Sequence, residues 1–281
     1  MNENAGSLDS QDRGVGSSAG LDQREQALVL RCSALKPTGD EDPVEDRQGK
    51  VPGFSQEALS KLTVLLVGAG ALGGEIAEGL VRKGVGTLKI LDFDTVSLSN
   101  LSRQFFFERD LYQPKAWALA RNLVSHGAMG TRLIAHNLSF ENALEAGVDL
   151  ESDVVVSAVD DGATRLEIAR FCLEKKIPAL FGGASEKADY ASLFVQEVGK
   201  ACFVCASPAG EDLTRTPCPG SPAIKDLFKE LAGRALYALD SLFMDRPRKW
   251  NLWGICPSDP SLAVSGMVKR RPDCPLCGGA P

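Results

Sequence analysis

The sequence has no long hydrophobic run, no excess of positive charge and only two histidines. Its longest apolar stretches, at residues 63–67 and 154–159, fall far short of the roughly 20 residues that a membrane helix needs. The formal net charge of -6 gives no overall attraction to nucleic acid or to an anionic membrane. We therefore expect neither a nucleic-acid-binding protein nor a membrane protein, and local cations must hold any anionic ligand.

A secretion signal is also lacking, because residues 1–20 are polar and contain no apolar core segment. This favours a cytoplasmic protein. Residues 1–52 are rich in Gly, Ser, Asp, Glu and Gln, a composition typical of disorder. We expect a largely disordered tail there, with one short helix at 21–35 and an acidic linker at 38–49. The globular part is expected over residues 53–281.

The first half of the globular part alternates between strand and helix patterns. After a short helix at 56–62, a strand at 63–67, a glycine-rich turn, a helix ending near Gly84 and a strand at 87–91 form a βαβ unit. A helix at 115–125, a strand at 132–136, an apolar strand ending at Val159 and a helix at 162–175 follow. This order predicts a Rossmann-like, doubly wound α/β fold with a mostly parallel sheet.

Beyond Gly183 the pattern becomes more antiparallel. The segments 191–197 and 201–205 are strand candidates that can pair with each other, and 262–268 is a further one. A long helix is expected to open at Ser221-Pro222, an N-cap followed by proline. Its core-facing stripe comprises Ile224, Leu227, Leu231, Leu239 and Leu242.

The glycine-rich turn predicts a nucleotide site. Gly68, Gly70 and Gly73 fit G-x-G-x-x-G between a strand and a helix, where the glycines allow a tight turn, close phosphate approach and close helix packing. Asp92 ends the next strand, where a ribose hydroxyl is accepted, and Asp94 serves the same purpose or caps the loop. Up to this point the residues suit an NAD site and an ATP site equally well.

The residues that follow favour a triphosphate over a dinucleotide. Arg103 can form two hydrogen bonds to a phosphate, and Lys115 can place a point charge near the leaving phosphates. Asp160 ends the apolar strand at the expected switch-point edge, where Mg²⁺ can be held. The alternative is that the pair Asp160-Asp161 only caps the helix at 162, which we expect of one of the two.

The eight cysteines include two Cys-x-x-Cys pairs, Cys202/Cys205 and Cys274/Cys277. Four thiolates suit a tetrahedral Zn²⁺ site, and a redox dithiol is the alternative. Cys218 lies just upstream of the long helix, where the helix dipole favours a thiolate. It is either a chemically active thiol or an incidental one.

Several segments together resemble the ThiF/MoeB/HesA superfamily, adenylating enzymes related to ubiquitin-activating enzymes. They are GAGALG at 68–73, LDFDTVSLSNLSRQ at 91–104, QPKA at 113–116 and VD at 159–160 with Arg165 shortly after. The resemblance covers residues 53–279. It implies that ATP and Mg²⁺ are bound by the residues that match the family positions: Asp92, Asn100, Arg103, Gln104, Lys115 and Asp160.

The resemblance also implies a reaction and its partners. The expected substrate is the C-terminal carboxylate of a ubiquitin-like or sulfur-carrier protein ending in Gly-Gly, which attacks the α-phosphate and expels pyrophosphate. A homodimer with two ATP sites and a structural zinc held by the two cysteine pairs are implied as well. Arg24 is a candidate for an arginine that enters the partner subunit's site, and Arg31 is the second choice for this role. Cys218 is a candidate for the thiol that forms a thioester or an acyl persulfide.

Three alternatives remain open at the level of the sequence. The enzyme could adenylate a peptide or another biosynthetic carboxylate, or the chain could be a non-catalytic partner subunit of an activating enzyme. An NAD(P)-dependent oxidoreductase is the remotest alternative, since the turn and Asp92 alone would also suit a dinucleotide.

Overall fold

The computed structural model describes residues 20–22, 27–207 and 222–278. The strands are β1 Gly20–Asp22, β2 Ala27–Arg31, β3 Thr63–Val67, β4 Thr87–Leu91, β5 Arg132–His136, β6 Val154–Ser157, β7 Ala179–Ala184, β8 Ala191–Gln196, β9 Leu252–Ile255 and β10 Val264–Gly266. The helices are α1 Asp46–Gly49, α2 Gln56–Lys61, α3 Ala71–Lys83, α4 Lys115–Val124, α5 Phe140–Glu145, α6 Gly162–Lys175, α7 Phe203–Ala206 and α8 Lys225–Phe243. Short 3-10 helices lie at Leu98–Asn100, Glu108–Asp110 and Pro260–Leu262.

The ten strands form one sheet in the order β1-β2-β5-β4-β3-β6-β7-β8-β9-β10. Its centre, β5-β4-β3-β6-β7, is parallel, while β1 and β2 at one side and β8, β9 and β10 at the other are antiparallel. After β3 the chain adds β4 and β5 on one side, and from β6 it adds β7 on the other side. The switch point of this doubly wound sheet therefore lies between β3 and β6.

Two cores cover the two faces of the sheet. On β3, Val64 and Leu66 belong to the core that contains α3, α4 and α8, whereas Leu65 and Val67 belong to the core that contains α5, α6 and α7. Burial on both faces explains the nearly continuous apolar sequence of this strand. The predicted α/β class, with a parallel centre and an antiparallel C-terminal part, is confirmed.

The helix predicted at 21–35 is wrong. Residues 20–22 and 27–31 form strands, and β2 pairs with the whole of β5, from Ala27 beside His136 to Arg31 beside Arg132. Leu28 and Leu30 are buried in the core beside α4. Pairing with a distant strand and burial of one strand face outweigh the local helix propensity of this leucine-rich segment. Ordered structure thus begins upstream of residue 53.

Two expectations in the C-terminal half also need correction. The segment 201–205 does not pair with β8, because Phe203–Ala206 forms a helical turn that brings both cysteines to one side. The long helix begins at Lys225, and Ser221 lies outside the described residues. Ile224 precedes the helix and is 53% exposed, whereas Leu227, Leu231 and Leu239 are buried as predicted.

No helix among the described residues is long and apolar enough to cross a membrane.

One buried charge cluster joins α3 to α8. The Asp240 side chain is 0% exposed, and its carboxylate accepts hydrogen bonds from Lys83 Nζ at 2.5 Å and from Arg246. Burial lowers the pKa of the Lys83 ammonium, and Asp240 opposes that shift. The cluster fixes the C-terminal end of α3, the helix that follows the glycine-rich turn, against α8.

Replacing Asp240 by asparagine leaves two partly buried cations without a counter-ion, so we expect the free energy of unfolding to fall by about 3 kcal/mol or more. Urea denaturation measures this change. The control is Glu57→Gln, which removes an exposed ion pair with Lys61 and should have no measurable effect. A loss for Asp240→Asn as small as that of the control would contradict the role given to this cluster.

Candidate functional site

The glycine-rich turn connects β3 to α3 at the switch point of the sheet. Gly68 has a positive φ of 98°, and a Cβ there would lie 2.8 Å from the carbonyl oxygen of Ala158. A Cβ on Gly73 would lie 1.9 Å from the carbonyl oxygen of Gly68. Only glycine fits at these two positions, since the helix start, the end of β3 and the segment after β6 touch through their backbones.

Gly70 has a different environment. A Cβ at this position would meet no described atom within 4 Å. Gly70 is also the N-cap residue of the 13-residue helix α3, and no side chain caps it. The first N–H groups of the helix thus lack a side-chain cap, and the space beside Gly70 is open, as at helix N-termini that bind phosphate.

Asp92 ties the next strand to this turn. Its carboxylate accepts hydrogen bonds from the backbone N–H of Ala69 at 2.6 Å and of Asp94 at 2.8 Å. Burial raises the pKa of the Asp92 carboxyl, while Lys115 and the two N–H groups act in the opposite direction. The carboxylate thus lies beside the glycine turn at the carboxyl edge of β4.

Lys115 is the first residue of α4, and its buried side chain points back to the loop after β4. Its Nζ donates to Asp94 Oδ2 at 2.7 Å, and its backbone N–H donates to the Asp94 carbonyl at 2.8 Å. Asp94 therefore serves as the counter-ion of Lys115. A cation held at this edge can neutralise a phosphate.

The loop between β4 and α4 presents the remaining polar residues. The buried Asn100 closes a 3-10 turn through a hydrogen bond from the Ser97 N–H to its Oδ1, and the Arg103 guanidinium donates to the carbonyl of Ser99. Gln104 is buried, and its Oε1 has no hydrogen-bond partner among the described residues. A buried unpaired amide oxygen is costly unless a ligand or water satisfies it.

The segment after β6 brings a carboxylate to the same edge. Asp161 caps α6 by accepting a hydrogen bond from the Thr164 N–H at 2.7 Å, and the neighbouring Asp160 is exposed. One of the two aspartates therefore caps the helix, as predicted. Arg165 donates to the carbonyl oxygens of Val159, at 2.9 Å, and Gly182, at 3.0 Å, so it joins the residue before Asp160 to β7.

The structure therefore brings the predicted nucleotide residues within the described chain to one edge of the sheet: Gly68, Gly70, Gly73, Asp92, Asp94, Asn100, Arg103, Gln104, Lys115 and Asp160. Backbone N–H groups, the Lys115 ammonium and carboxylates lie at this edge, and the loop after β4 adds Arg103; the arrangement suits a phosphorylated ligand with a metal ion. Arg24 and Cys218 lie outside the described residues.

The four cysteines of the two Cys-x-x-Cys pairs form a second site. Their sulfurs all lie within 4.8 Å of one another. The Sγ to Sγ distances are 3.8 Å for Cys202 to Cys205, 3.6 Å for Cys202 to Cys274 and 3.4 Å for Cys205 to Cys277. With Zn–S bonds of about 2.3 Å, a tetrahedron of sulfurs has edges of about 3.8 Å, so the cluster fits Zn²⁺.

The other described cysteines lie outside this cluster. Burial raises the pKa of the Cys32 thiol to about 11, against a smaller lowering by a backbone hydrogen bond from Gly127, and raises that of Cys172 to about 12. These two thiols pack in the cores and resist ionisation. Cys256 is buried as well.

Sequence reasoning missed the residues that hold the site in place. Arg165 is part of the family motif, but only the structure shows that it joins β7 to the Asp160 segment. A Cβ added at Gly183 would lie 2.3 Å from the Arg165 guanidinium, so the arginine packs directly against the glycine backbone. The buried pair Asn122 and Asp110 was missed entirely. Polar residues on the buried face of an otherwise apolar helix were the available signal.

Several curated proteins are similar to this chain in sequence. The molybdopterin-synthase adenylyltransferase of Escherichia coli (strain K12) is 34% identical over 166 residues, which cover 58% of this chain and 66% of that protein. The sulfur carrier protein ThiS adenylyltransferase of Bacillus subtilis (strain 168) is 30% identical over 232 residues, covering 79% and 67%. The adenylyltransferase and sulfurtransferase MOCS3 of Caenorhabditis briggsae is 29% identical over 232 residues, and the match covers 80% of this chain but 57% of that protein.

Solved structures share the fold. A crystal structure of E. coli MccB with ATP superposes with a TM-score of 0.66 and 20% identity, covering 79% of this chain and 68% of that one. The likeness at this identity concerns the fold alone.

A protein-family model also matches the sequence. The ThiF family matches residues 43–225, more than half of the chain, and this range contains the glycine turn, the Asp92 to Lys115 segment and Asp160. The chain therefore belongs to the ThiF family.

Proposed function

We propose that the protein is an ATP-dependent adenylating enzyme that activates the C-terminal carboxylate of a ubiquitin-like or sulfur-carrier protein ending in Gly-Gly. The observation that carries the proposal is the helix N-terminus at Gly70, which has no side-chain cap and open space beside it, at the same edge of the sheet as Asp92 and Lys115. The loop after β4 adds Arg103 and the Gln104 amide oxygen, which has no hydrogen-bond partner among the described residues. A triphosphate needs more positive charge than a dinucleotide does, and this edge supplies two side-chain cations beside the helix dipole.

Each residue at the edge has a proposed task. Asp92 accepts a ribose hydroxyl, the N–H groups at the start of α3 bind phosphate oxygens, and Lys115 and Arg103 neutralise the phosphates. Asn100 fixes the turn that carries Arg103. Gln104 uses its unpaired amide oxygen for a nucleotide donor or a bound water.

Asp160 is the proposed Mg²⁺ ligand, since it is exposed at the switch-point edge while its neighbour Asp161 is engaged as a helix cap. A bound magnesium ion supplies charge neutralisation for the leaving pyrophosphate. Arg165 keeps the Asp160 backbone in place through Val159.

The reaction requires positioning rather than a base. A carboxylate oxygen of the substrate bonds to the α-phosphorus, the bond from that phosphorus to the oxygen that bridges to the β-phosphate breaks, and pyrophosphate leaves with the electron pair. The attacking carboxylate is ionised at neutral pH and carries no proton to remove. The chain's contribution is therefore orientation and stabilisation of negative charge.

The substrate class is proposed from the names of the relatives, which include an adenylyltransferase for a sulfur-carrier protein and one for molybdopterin synthase. We further propose a homodimer in the cytoplasm, a reducing compartment that suits free cysteine thiols. Arg24 is the proposed residue that enters the partner subunit's site. Cys218, between α7 and α8 in the sequence, is the proposed acyl-accepting thiol.

The cysteine cluster is proposed to hold a structural Zn²⁺. It joins the turn at Cys202 to the segment at Cys274, 72 residues apart. Four protein ligands leave no open position for a substrate, as in structural zinc sites. The metal would hold the C-terminal segment against β8 and α7.

ATP–pyrophosphate exchange with carrier proteins ending in Gly-Gly tests the activity. We expect exchange with such a carrier and none with the same carrier lacking its last two residues. Asp160→Ala should lower exchange by about 100-fold or more, because it removes the metal ligand. The matched control is Asp161→Ala, which removes only a helix cap and should retain exchange in the folded protein. Full activity in Asp160→Ala would refute the assignment.

A mixing experiment tests the proposal that Arg24 acts on the partner's site. Arg24→Ala and Asp160→Ala homodimers should both be inactive. After subunit exchange, each heterodimer has one site with an intact Asp160 and an intact partner arginine, so about a quarter of the wild-type exchange should return. If mixing restores no activity although heterodimers form, Arg24 does not act across the interface.

Metal analysis tests the cysteine cluster. We expect about one zinc per chain, and replacement by Co²⁺ should give the thiolate-to-cobalt absorption of a tetrahedral sulfur site. Cys205→Ser should lose the metal and lower the melting temperature, whereas Cys256→Ala, a buried cysteine outside the cluster, should retain it. Wild-type protein without bound metal, at an unchanged melting temperature after chelation, would show that the cluster is not a zinc site.

A further inference from the structure

Helix α4 has polar residues at two places where it meets the nucleotide loop. Lys115 is its first residue, and Asn122 follows about two turns later on the buried side. Asn122 is 3% exposed. A polar amide in the core needs partners for its oxygen and its nitrogen, and the arrangement of these partners shows what the side chain does.

The Asn122 amide is fully engaged with the loop before α4. Its Nδ2 donates to Asp110 Oδ2 at 2.7 Å and to the Phe105 carbonyl at 3.2 Å. Its Oδ1 accepts a hydrogen bond from the Arg109 guanidinium at 3.0 Å. The buried Asp110 carboxylate also accepts the Phe107 N–H at 2.8 Å. Asn122 and Asp110 together therefore bind the backbone on both sides of Phe106.

The residue preceding this anchored backbone is Gln104. On its other side the loop packs against α3, because a Cβ on Gly74 would lie 2.9 Å from the Phe105 Cβ. The segment 105–107 is thus held between the helix that carries the glycine turn and the helix that carries Lys115. The main chain has little freedom at the point where Gln104 leaves it.

We infer that Asn122, acting with Asp110, is a positioning residue that orients Gln104 toward the nucleotide. The inference rests on the proposed function. Asn122 does not touch the ligand. It fixes the Phe105 carbonyl, one residue beyond Gln104, and thereby the direction of a buried amide oxygen that has no other partner among the described residues. Small displacements of such a group are costly for binding.

The same helix thus sets two ends of one site. Lys115 is placed by the first turn of α4, and the backbone next to Gln104 is placed by Asn122 on a later turn. Because a helix is stiff over this length, the spacing between the lysine and the loop is set by the helix itself. Loss of the Asn122 anchor should affect the Gln104 contact while leaving the Lys115 to Asp94 pair intact.

A double-mutant cycle on ATP affinity tests this inference. Titration calorimetry on the full chain, well below each variant's melting temperature, gives the dissociation constants. We expect Gln104→Ala and Asn122→Ala each to weaken ATP binding about tenfold or more. The double variant should be little weaker than Gln104→Ala alone, because both changes remove the same contact. Arg121→Ala, at the exposed neighbouring position on α4, is the matched control and should bind ATP normally.

The outcomes separate the inference from the proposed function. If the two single effects multiply in the double variant, Asn122 acts only through general stability and the inference is overturned. If Gln104→Ala binds ATP as tightly as wild type, the nucleotide assignment fails, and the inference fails with it. Should Asn122→Ala not fold, Asn122→Asp replaces it. That variant places two carboxylates in contact, so relative to wild type its ATP affinity should rise as the pH is lowered and one of them takes up a proton.

Discussion

The fold of the candidate site depends on one close backbone approach, where the carbonyl oxygen of Gly68 meets the first turn of α3 at Gly73. No side chain can separate these two segments, so the helix N-terminus lies directly at the end of β3. The same turn leaves the N–H of Ala69 directed at Asp92. The Asp92 carboxylate, proposed to accept a ribose hydroxyl, and the N–H groups at the start of α3, proposed to bind phosphate, are therefore positioned by a single constraint, and their positions cannot vary independently.

The positive charge that would attract an anionic ligand is also supplied locally. A chain with a net charge of -6 repels an anion at long range, so attraction has to come from groups within a few ångströms. Lys115 is held in place by Asp94, which orients the ammonium but also offsets its charge. The phosphates of the proposed nucleotide would compete with Asp94 for Lys115, and the half-exposed Asp94 side chain can be solvated by water.

Much of the fold could be predicted from the sequence because the signals are local. The helix at 162–175 and the strand at 132–136 agree with the structure residue for residue, since their signals are local: an aspartate immediately before the helix caps it, and the strand has apolar residues at its centre. Residues 27–31 were misassigned because their state is decided by β5, more than a hundred residues away. Asn122 and Asp240 escaped notice for the same reason, as their partners can be seen only when the chain is folded.

Two groups of long-range contacts hold the candidate site in place, one in each half of the sheet. Asn122 and Asp110 stabilise the half formed by β4 and α4, whereas Arg165 joins β7 to the Asp160 segment. The cysteine cluster then connects α7, which follows β8, to the C-terminal segment. Because β8 pairs with β7 along its length, a metal in that cluster would stiffen the strand next to the Arg165 contact without approaching the nucleotide edge. The proposed zinc would therefore act on the proposed nucleotide site only through the rigidity of the sheet.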